Sequence, residues 1–310
     1  MTSLRERYEG TLLGLAAGDA LGGSVEFMPR SAVLRAHPNG VRDITGGGPH
    51  DLRKGEVTDD TAMALAIARA CTPEGIDLDQ VAANFLQWYR SDPKDIGITT
   101  SRALAKMDAG VPWREIGDRM MAETPRKLAG NGSVMRCAPV ALRFRSDRER
   151  LRRVSIDTAR MTHPDHMATW GSVALNQGIA WLLDGGSLDG LVPAAIDGVE
   201  NEDVLRAIQE SVNRKYDDVT STGFVLDTLR ASFWSITNRD SAEEAIVTAV
   251  SMGDDTDTTG AVTGALAGAL YGVDALPERW LSVLEPRDEL IELAGNLLAW
   301  SEADAALSGI

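Results

Sequence analysis

Apolar residues recur at helical spacing in segments near 4–17, 61–71, 78–90, 99–109, 147–161, 167–183, 202–213, 224–236, 241–251, 259–272 and 287–305. Each segment predicts an α-helix, and no stretch alternates apolar and polar positions convincingly enough to predict a strand. Most prolines (Pro29, Pro38, Pro49, Pro73, Pro93, Pro125, Pro164, Pro277 and Pro286) fall between these segments, as helix boundaries should, while Pro139 is expected to kink a helix. The pattern predicts an all-α fold. No segment reads as a linker, so residues 1–310 are expected to form a single compact domain.

Three connections are long or rich in glycine: Gly22 to Glu56, Leu128 to Ser133, and Asn213 to Gly223. In a helical domain such loops commonly carry a site. Two similar helix starts lie outside them, Thr58-Asp59-Asp60-Thr61 and Asp254-Asp255-Thr256-Asp257-Thr258-Thr259. The first leads into Ala62–Ala68, apolar on every side and therefore buried. The second leads into a helix with Gly260, Gly264 and Gly268 at four-residue spacing, a smooth ridge against which another helix can pack closely.

One reading of both starts is N-capping, for which Thr and Asp are favoured. Capping needs one side chain, however, and each start supplies two or three carboxylates beside an apolar helix. Clustered carboxylates repel unless they are protonated or a cation neutralises them. Carboxylates with threonine hydroxyls form an all-oxygen set suited to Mg²⁺ or Mn²⁺ rather than Zn²⁺. Spacing alone does not show whether the two starts converge. Asp255-x-Asp257-x-Thr259-Gly260 opens like an EF-hand, but its twelfth position is Leu266, where that loop needs a bidentate glutamate.

Composition narrows the function further. Hydrophobic residues make up 44% and charged residues 25% of the chain, ordinary for a soluble protein with a sizeable core. The 46 acidic against 31 basic residues give a net charge of −15, which repels a phosphate backbone and excludes general nucleic-acid binding. Loop amides, helix N-termini or bound cations can still receive an anionic nucleotide. Cys71 and Cys137 are too few for a disulfide framework and lack zinc-site spacing, so a reducing cytoplasm is expected. The charged start Met1 to Glu9 has no apolar signal region, and no apolar run of about 18 residues predicts a membrane span.

Five ordered motifs resemble those of the ADP-ribosylglycohydrolase family, especially the dinitrogenase reductase activating glycohydrolases and animal ADP-ribosylhydrolases, over roughly residues 7–285. They are Gly14-Leu15-Ala16-Ala17-Gly18-Asp19-Ala20-Leu21-Gly22, Val25-Glu26-Phe27-Met28, Thr58-Asp59-Asp60-Thr61, Gly130-Asn131-Gly132-Ser133-Val134-Met135-Arg136, and Gly253-Asp254-Asp255-Thr256-Asp257-Thr258-Thr259-Gly260. The resemblance implies a compact all-α domain holding two Mg²⁺ or Mn²⁺ ions, with Thr58, Asp59, Asp60, Asp255, Asp257 and Thr258 as ligands. Asp254 stands where the family commonly has glycine and is set aside as a solvated or capping carboxylate.

The resemblance also implies catalytic roles for Glu26, on a flexible loop over the metals, and for Asp95 in Lys94-Asp95-Ile96-Gly97, against a solvated loop acid and an Asp-Gly turn. The Gly130-Asn131-Gly132-Ser133 loop is expected to enter a helix and to receive a diphosphate on its amides. Main-chain contacts gain weight because Leu128-Ala129 stands where some relatives have a serine and a tyrosine. Phe224 matches an aromatic that stacks on adenine, although such a residue is also a common core residue. His163 resembles a histidine near the ribose pocket or is a structural hydrogen-bonding residue, and its HxxH spacing with His166 has no further Cys or His to complete a metal site. Gly46-Gly47-Gly48 resembles a family loop or is a flexible turn.

The implied activity is metal-dependent hydrolysis of the glycosidic bond between ADP-ribose and a modified target, arginine on protein foremost, releasing ADP-ribose. O-linked ADP-ribose on serine or acetate, or an ADP-ribosylated nucleic acid, is the alternative, and a non-catalytic ADP-ribose binder or structural protein is the second. Ile98, where nitrogenase-linked relatives have asparagine, marks the acceptor side as different. No membrane partner is expected.

Overall fold

The computed structural model describes residues 2–124 and 128–308. Pro125, expected at a helix boundary, lies outside them. The helices in the first half are α1 (Leu4–Gly22), α2 (Arg30–Ala36), α3 (Asp59–Ala68), α4 (Leu78–Tyr89), α5 (Ile98–Asp108), α6 (Trp113–Glu123), α7 (Ala138–Arg143) and α8 (Arg148–Arg160). The second half holds α9 (His166–Leu183), α10 (Leu188–Ile196), α11 (Glu202–Ser211), α12 (Val225–Thr237), α13 (Ala242–Val250), α14 (Thr256–Tyr271), α15 (Glu278–Leu281) and α16 (Arg287–Ser308). The fold is all-α. Its strand content among the described residues is a hairpin of two two-residue strands, β1 (Cys71–Thr72) with β2 (Gly75–Ile76), too short to show as alternation.

Every segment predicted from helical spacing corresponds to a helix; α2, α6, α7, α10 and α15 lie outside those segments, although a helix around Pro139, in α7, was expected. Four of them are short, at 7, 6, 9 and 4 residues for α2, α7, α10 and α15, too few turns for a periodic signal. The fifth, α6, buries only Ile116, Gly117 and Met120 of its eleven residues. Pro139 does not kink a helix: it sits in the first turn of α7, where a missing N–H costs no intrahelical bond.

Helices α1 and α14 form the centre and are antiparallel. Gly10, Gly14 and Gly18 face Gly268, Gly264 and Gly260, and a methyl added at Gly14 or Gly18 would collide with the carbonyl oxygen of Gly264 or Gly260. The ridge expected on α14 therefore meets a matching ridge on α1. At the far end Arg7 Nη1 donates to the carbonyls of Ala269 and Leu270 at 2.7 and 2.5 Å, capping the C-terminus of α14. At the near end Thr256 Oγ1 donates to Gly22 O at 2.8 Å, which places the last turn of α1 beside the first turn of α14.

Apolar side chains surround this pair, with Tyr8, Phe233 and Trp280 fully buried. A second cluster built on Met63, Phe85, Leu104, Ile116 and Met120 joins α3 to α4, α5 and α6. No helix among the described residues is long and apolar enough to cross a membrane. Cys71 and Cys137 are buried and unpaired.

Candidate active site

The two acidic helix starts converge. Thr58 and Asp255 occupy the N-cap positions of α3 and α14, and neither makes a side-chain cap bond. Capping of α3 falls to Asp19, fully buried in the last turns of α1, whose carboxylate accepts the N–H of Thr58 at 3.0 Å, the N–H of Thr61 at 3.1 Å, and the Thr61 hydroxyl. With an acceptor from another helix in place, the oxygens of Thr58, Asp59 and Asp60 are free for other work. The sequence left Asp19 without a role because a cap is ordinarily sought next to its helix.

Asp60 Oδ2 accepts from the hydroxyls of both Thr58 and Thr258 at 3.4 Å, linking α3 to α14. Asp60 Oδ1 is buried with no hydrogen-bond partner. Asp257 Oδ1 accepts the N–H of Thr258 at 2.8 Å, and Asp255 Oδ2 accepts from the Asn131 amide at 3.0 Å. Asp59, Asp60 and Asp257 are at most 6% exposed. Burial, reinforced by neighbouring carboxylates, pushes all three well above the usual carboxylate range. A buried carboxylate oxygen with no donor, set among hydroxyl and carboxylate oxygens, is what hard divalent cations require, so these residues fit an oxygen-ligated metal site.

Beside this floor opens a cleft of about 410 Å³, lined among others by Glu26, Asp59, Asp95, Gly132, His163 and Asp255, within the size range of small-molecule sites. Glu26 is no solvated loop acid: it is 7% exposed, and burial, followed by Asp95, Asp255 and Asp59, raises its pKa to about 9. Its loop is stitched to the loop before α14, because Phe27 N–H donates to Asp254 O at 2.7 Å and Asp254 N–H to Met28 O at 2.8 Å. Phe27 and Asp254 both have positive φ, 62° and 59°. That left-handed backbone is one glycine adopts without strain, and the Asp254 side chain is exposed. Asp95 lies against Asp59, whose Oδ2 also accepts the Gly97 N–H at 3.3 Å.

The Gly130–Ser133 segment differs from expectation. It does not enter a helix, since α7 begins only at Ala138; turns fill the interval, with Val134 N–H donating to Asn131 O at 2.9 Å. Its edge pairs with the 223–225 segment through Asn131 N–H to Gly223 O and Val225 N–H to Ala129 O, at 3.1 and 3.0 Å. No described residue accepts the N–H of Gly132 or Ser133. Gly130, Asn131 and Gly132 line the cleft. The Ser133 side chain is turned away, donating to Ala168 O at 3.1 Å. Phe224 is 39% exposed and bridges Gly130 through its backbone, so it is not a core residue.

His163 is buried while His166 is exposed, which dissolves the HxxH pair as a metal site. Arg136 Nη2 donates to Thr162 Oγ1 at 2.7 Å, and that hydroxyl lies 2.8 Å from His163 Nδ1. The opposite ring nitrogen, Nε2, stands on the cleft side beside Gly130 and Gly132. Burial and the Arg136 charge depress the His163 pKa to about 3, so the ring stays neutral.

His50, against two of the cleft carboxyls, was missed. His50 stands on the Gly46-Gly47-Gly48 loop, whose three positive φ angles and Gly47–Leu52 pairing fold it over the site. Its Nε2 is 2.8 Å from Glu26 Oε2 and 3.6 Å from Asp95 Oδ1. Nothing near His50 in sequence carries that signal.

A profile of the ADP-ribosylglycohydrolase family matches residues 1–306. The chain belongs to the ADP-ribosylglycohydrolase family. Within it, an ADP-ribosylarginine hydrolase of Serratia proteamaculans is 33% identical over 94% of this chain and 79% of its own. The ADP-ribosyl-[dinitrogen reductase] glycohydrolase of Rhodospirillum rubrum is 32% identical over 94% of this chain and 98% of its own. A solved structure described as an ADP-ribosylglycohydrolase-related protein complex superposes with a TM-score of 0.82 at 34% identity, covering 97% of this chain and all of that one. This ADP-ribosylglycohydrolase is thus a hydrolase by family, with its acidic cleft in the family fold.

Proposed function

We propose that the chain hydrolyses the N-glycosidic bond between ADP-ribose and arginine on a modified protein. The observation that carries this reading is Asp60, whose Oδ2 meets Thr58 and Thr258 while Oδ1 is buried without a donor beside the Glu26 and Asp95 cleft. Thr58, Asp59, Asp60, Asp255, Asp257 and Thr258 would hold two Mg²⁺ or Mn²⁺ ions. When bound, such ions supply Lewis acidity and ease deprotonation of water.

The open amides of Gly132 and Ser133 receive the diphosphate, His163 Nε2 meets a ribose oxygen, and Phe224 offers a face for adenine. Breaking the C–N bond sends its electron pair to the guanidino nitrogen, while water delivers hydroxyl to the anomeric carbon. One proton leaves that water and one reaches the departing nitrogen. Glu26 and Asp95 are the carboxyls placed to manage these transfers. A wall of carboxylates also complements a guanidinium better than a neutral serine hydroxyl or acetyl group. The name of the Serratia proteamaculans relative supports arginine as the linked residue.

The test is release of ADP-ribose from ADP-ribosylarginine, from an ADP-ribosylserine peptide and from O-acetyl-ADP-ribose, each with Mg²⁺, Mn²⁺ or EDTA. Metal-dependent turnover of the arginine conjugate alone is the expected result, abolished in Asp60→Ala and Asp257→Ala. Full activity in either variant rejects the metal site; preference for the serine or acetyl conjugate rejects the acceptor. Tight ADP-ribose binding with no turnover would make the chain a binder.

A further inference from the structure

His50 contacts both carboxyls to which the proton transfers are assigned. Its Nδ1 lies 3.2 Å from Lys94 O, and a carbonyl can only accept, so Nδ1 carries a hydrogen. Its Nε2 lies 2.8 Å from Glu26 Oε2. Between these two atoms a single proton must stand: either a neutral Glu26 carboxyl donates to the imidazole, or the imidazolium donates to the carboxylate.

The surroundings keep that proton in place. Asp95 lies 3.6 Å away on the same side. Lys94 is turned aside, its ammonium donating to Asp51 O at 3.0 Å and pairing with Glu56 at 2.8 Å. The Phe27 ring stands edge-on to the imidazole at 6.0 Å between centroids. The polar atoms of Glu26, His50 and Asp95 all lie within 4.8 Å of one another, a grouping that could also hold a cation. The 2.8 Å contact favours a proton, since two ligands bound about 2.1 Å from one ion stand roughly 3 Å or more apart.

We propose that His50 is a proton-positioning residue, sharing one proton with Glu26 through Nε2 and holding it beside Asp95 for the proton transfers of glycoside hydrolysis. The kinetic consequence rests on the arginine-hydrolase reading; the place of the proton does not. His50 acts through Glu26 and contributes no bond to the substrate.

¹⁵N-histidine NMR on the Mg²⁺-loaded protein tests the proton directly, with His50→Gln identifying the resonance among four histidines. The expected result is a ring that carries a hydrogen at Nδ1 and whose Nε2 resonance moves in Glu26→Gln. An Nε2–H tautomer with bare Nδ1, or indifference to Glu26→Gln, overturns the proposal whether or not the wild type turns over substrate. Given wild-type turnover, His50→Gln should fold with unchanged thermal stability, lose at least about tenfold in kcat with KM little altered, and displace the alkaline limb of the pH profile. Glutamine preserves a hydrogen bond but no mobile proton, so rescue of kcat and profile by His50→Gln would reduce His50 to a brace and overturn the proposal. Uptake of a third equivalent of Zn²⁺ or Mn²⁺ that His50→Gln loses would make the trio a metal site and equally overturn it. If the wild type releases no ADP-ribose, the arginine-hydrolase reading fails and the NMR result still decides the place of the proton.

Discussion

The carboxylate of Asp19 accepts the backbone N–H of Thr58 at 3.0 Å across 39 positions of sequence, so helix α3 draws its N-cap from helix α1. With that duty met from outside, Asp60 Oδ2 accepts instead from the hydroxyls of Thr58 and Thr258. Asp19→Ala should strand the Thr58 and Thr61 amides and cost roughly 2–3 kcal/mol of stability. Asp19→Asn, which keeps one oxygen acceptor, should cost less. Mn²⁺ affinity should fall at least about tenfold in Asp19→Ala, as when an outer-shell support is removed. Urea titration and calorimetric Mn²⁺ binding check both; Mn²⁺ affinity unchanged in Asp19→Ala would show that the cap does not orient the ligands.

Glu26 makes the metal-free protein sensitive to alkali. Its folded-state pKa, about 9, lies above the ordinary glutamate value of 4.5, so the folded state binds the extra proton between those limits. Its contribution is fully present below pH 4.5 and is lost as pH rises through about 9. Thermal melting in EDTA should therefore fall from pH 5 to 9, and Glu26→Gln should flatten the decline. A melting temperature independent of pH in EDTA would contradict this.

The contact between α1 and α14 tolerates no side chain. Gly264→Ala would drive a methyl into the Gly14 carbonyl and should cost about 1–3 kcal/mol or more. Gly295, in α16, has nothing within 4 Å of an added methyl. Gly295→Ala should instead stabilise by roughly 0.5–1 kcal/mol through helix propensity alone. Denaturant midpoints of the two variants should move in opposite directions.

Asp254 holds its place by backbone conformation rather than charge. With φ at 59°, Asp254→Gly should be near neutral in stability and keep full Mn²⁺ binding. Asp254→Val should lose about 1–3 kcal/mol and loosen the Glu26 loop. Loss of metal binding in Asp254→Gly would mean that its carboxylate is a ligand after all.

The sequence by itself determined the all-α class and most helix positions, because a buried face recurs every 3.6 residues within one segment, a signal carried locally. It also marked the two acidic helix starts and the glycine ridge of α14, whose spacing implies close packing whatever the partner. Short helices such as α7 and α15 gave too few turns to register. Only the tertiary structure decided that α1 supplies the second ridge, that Asp19 caps α3, and that Asp60 meets Thr258 across 198 positions. Only there does His50 reach Glu26 and Asp95, 24 and 45 positions away. These relations join groups whose separation along the chain is arbitrary, and hydrogen bonds and carboxylate repulsion act only over a few ångströms. Local periodicity therefore reports which face of a helix is buried, and packing alone sets which oxygens share a cleft.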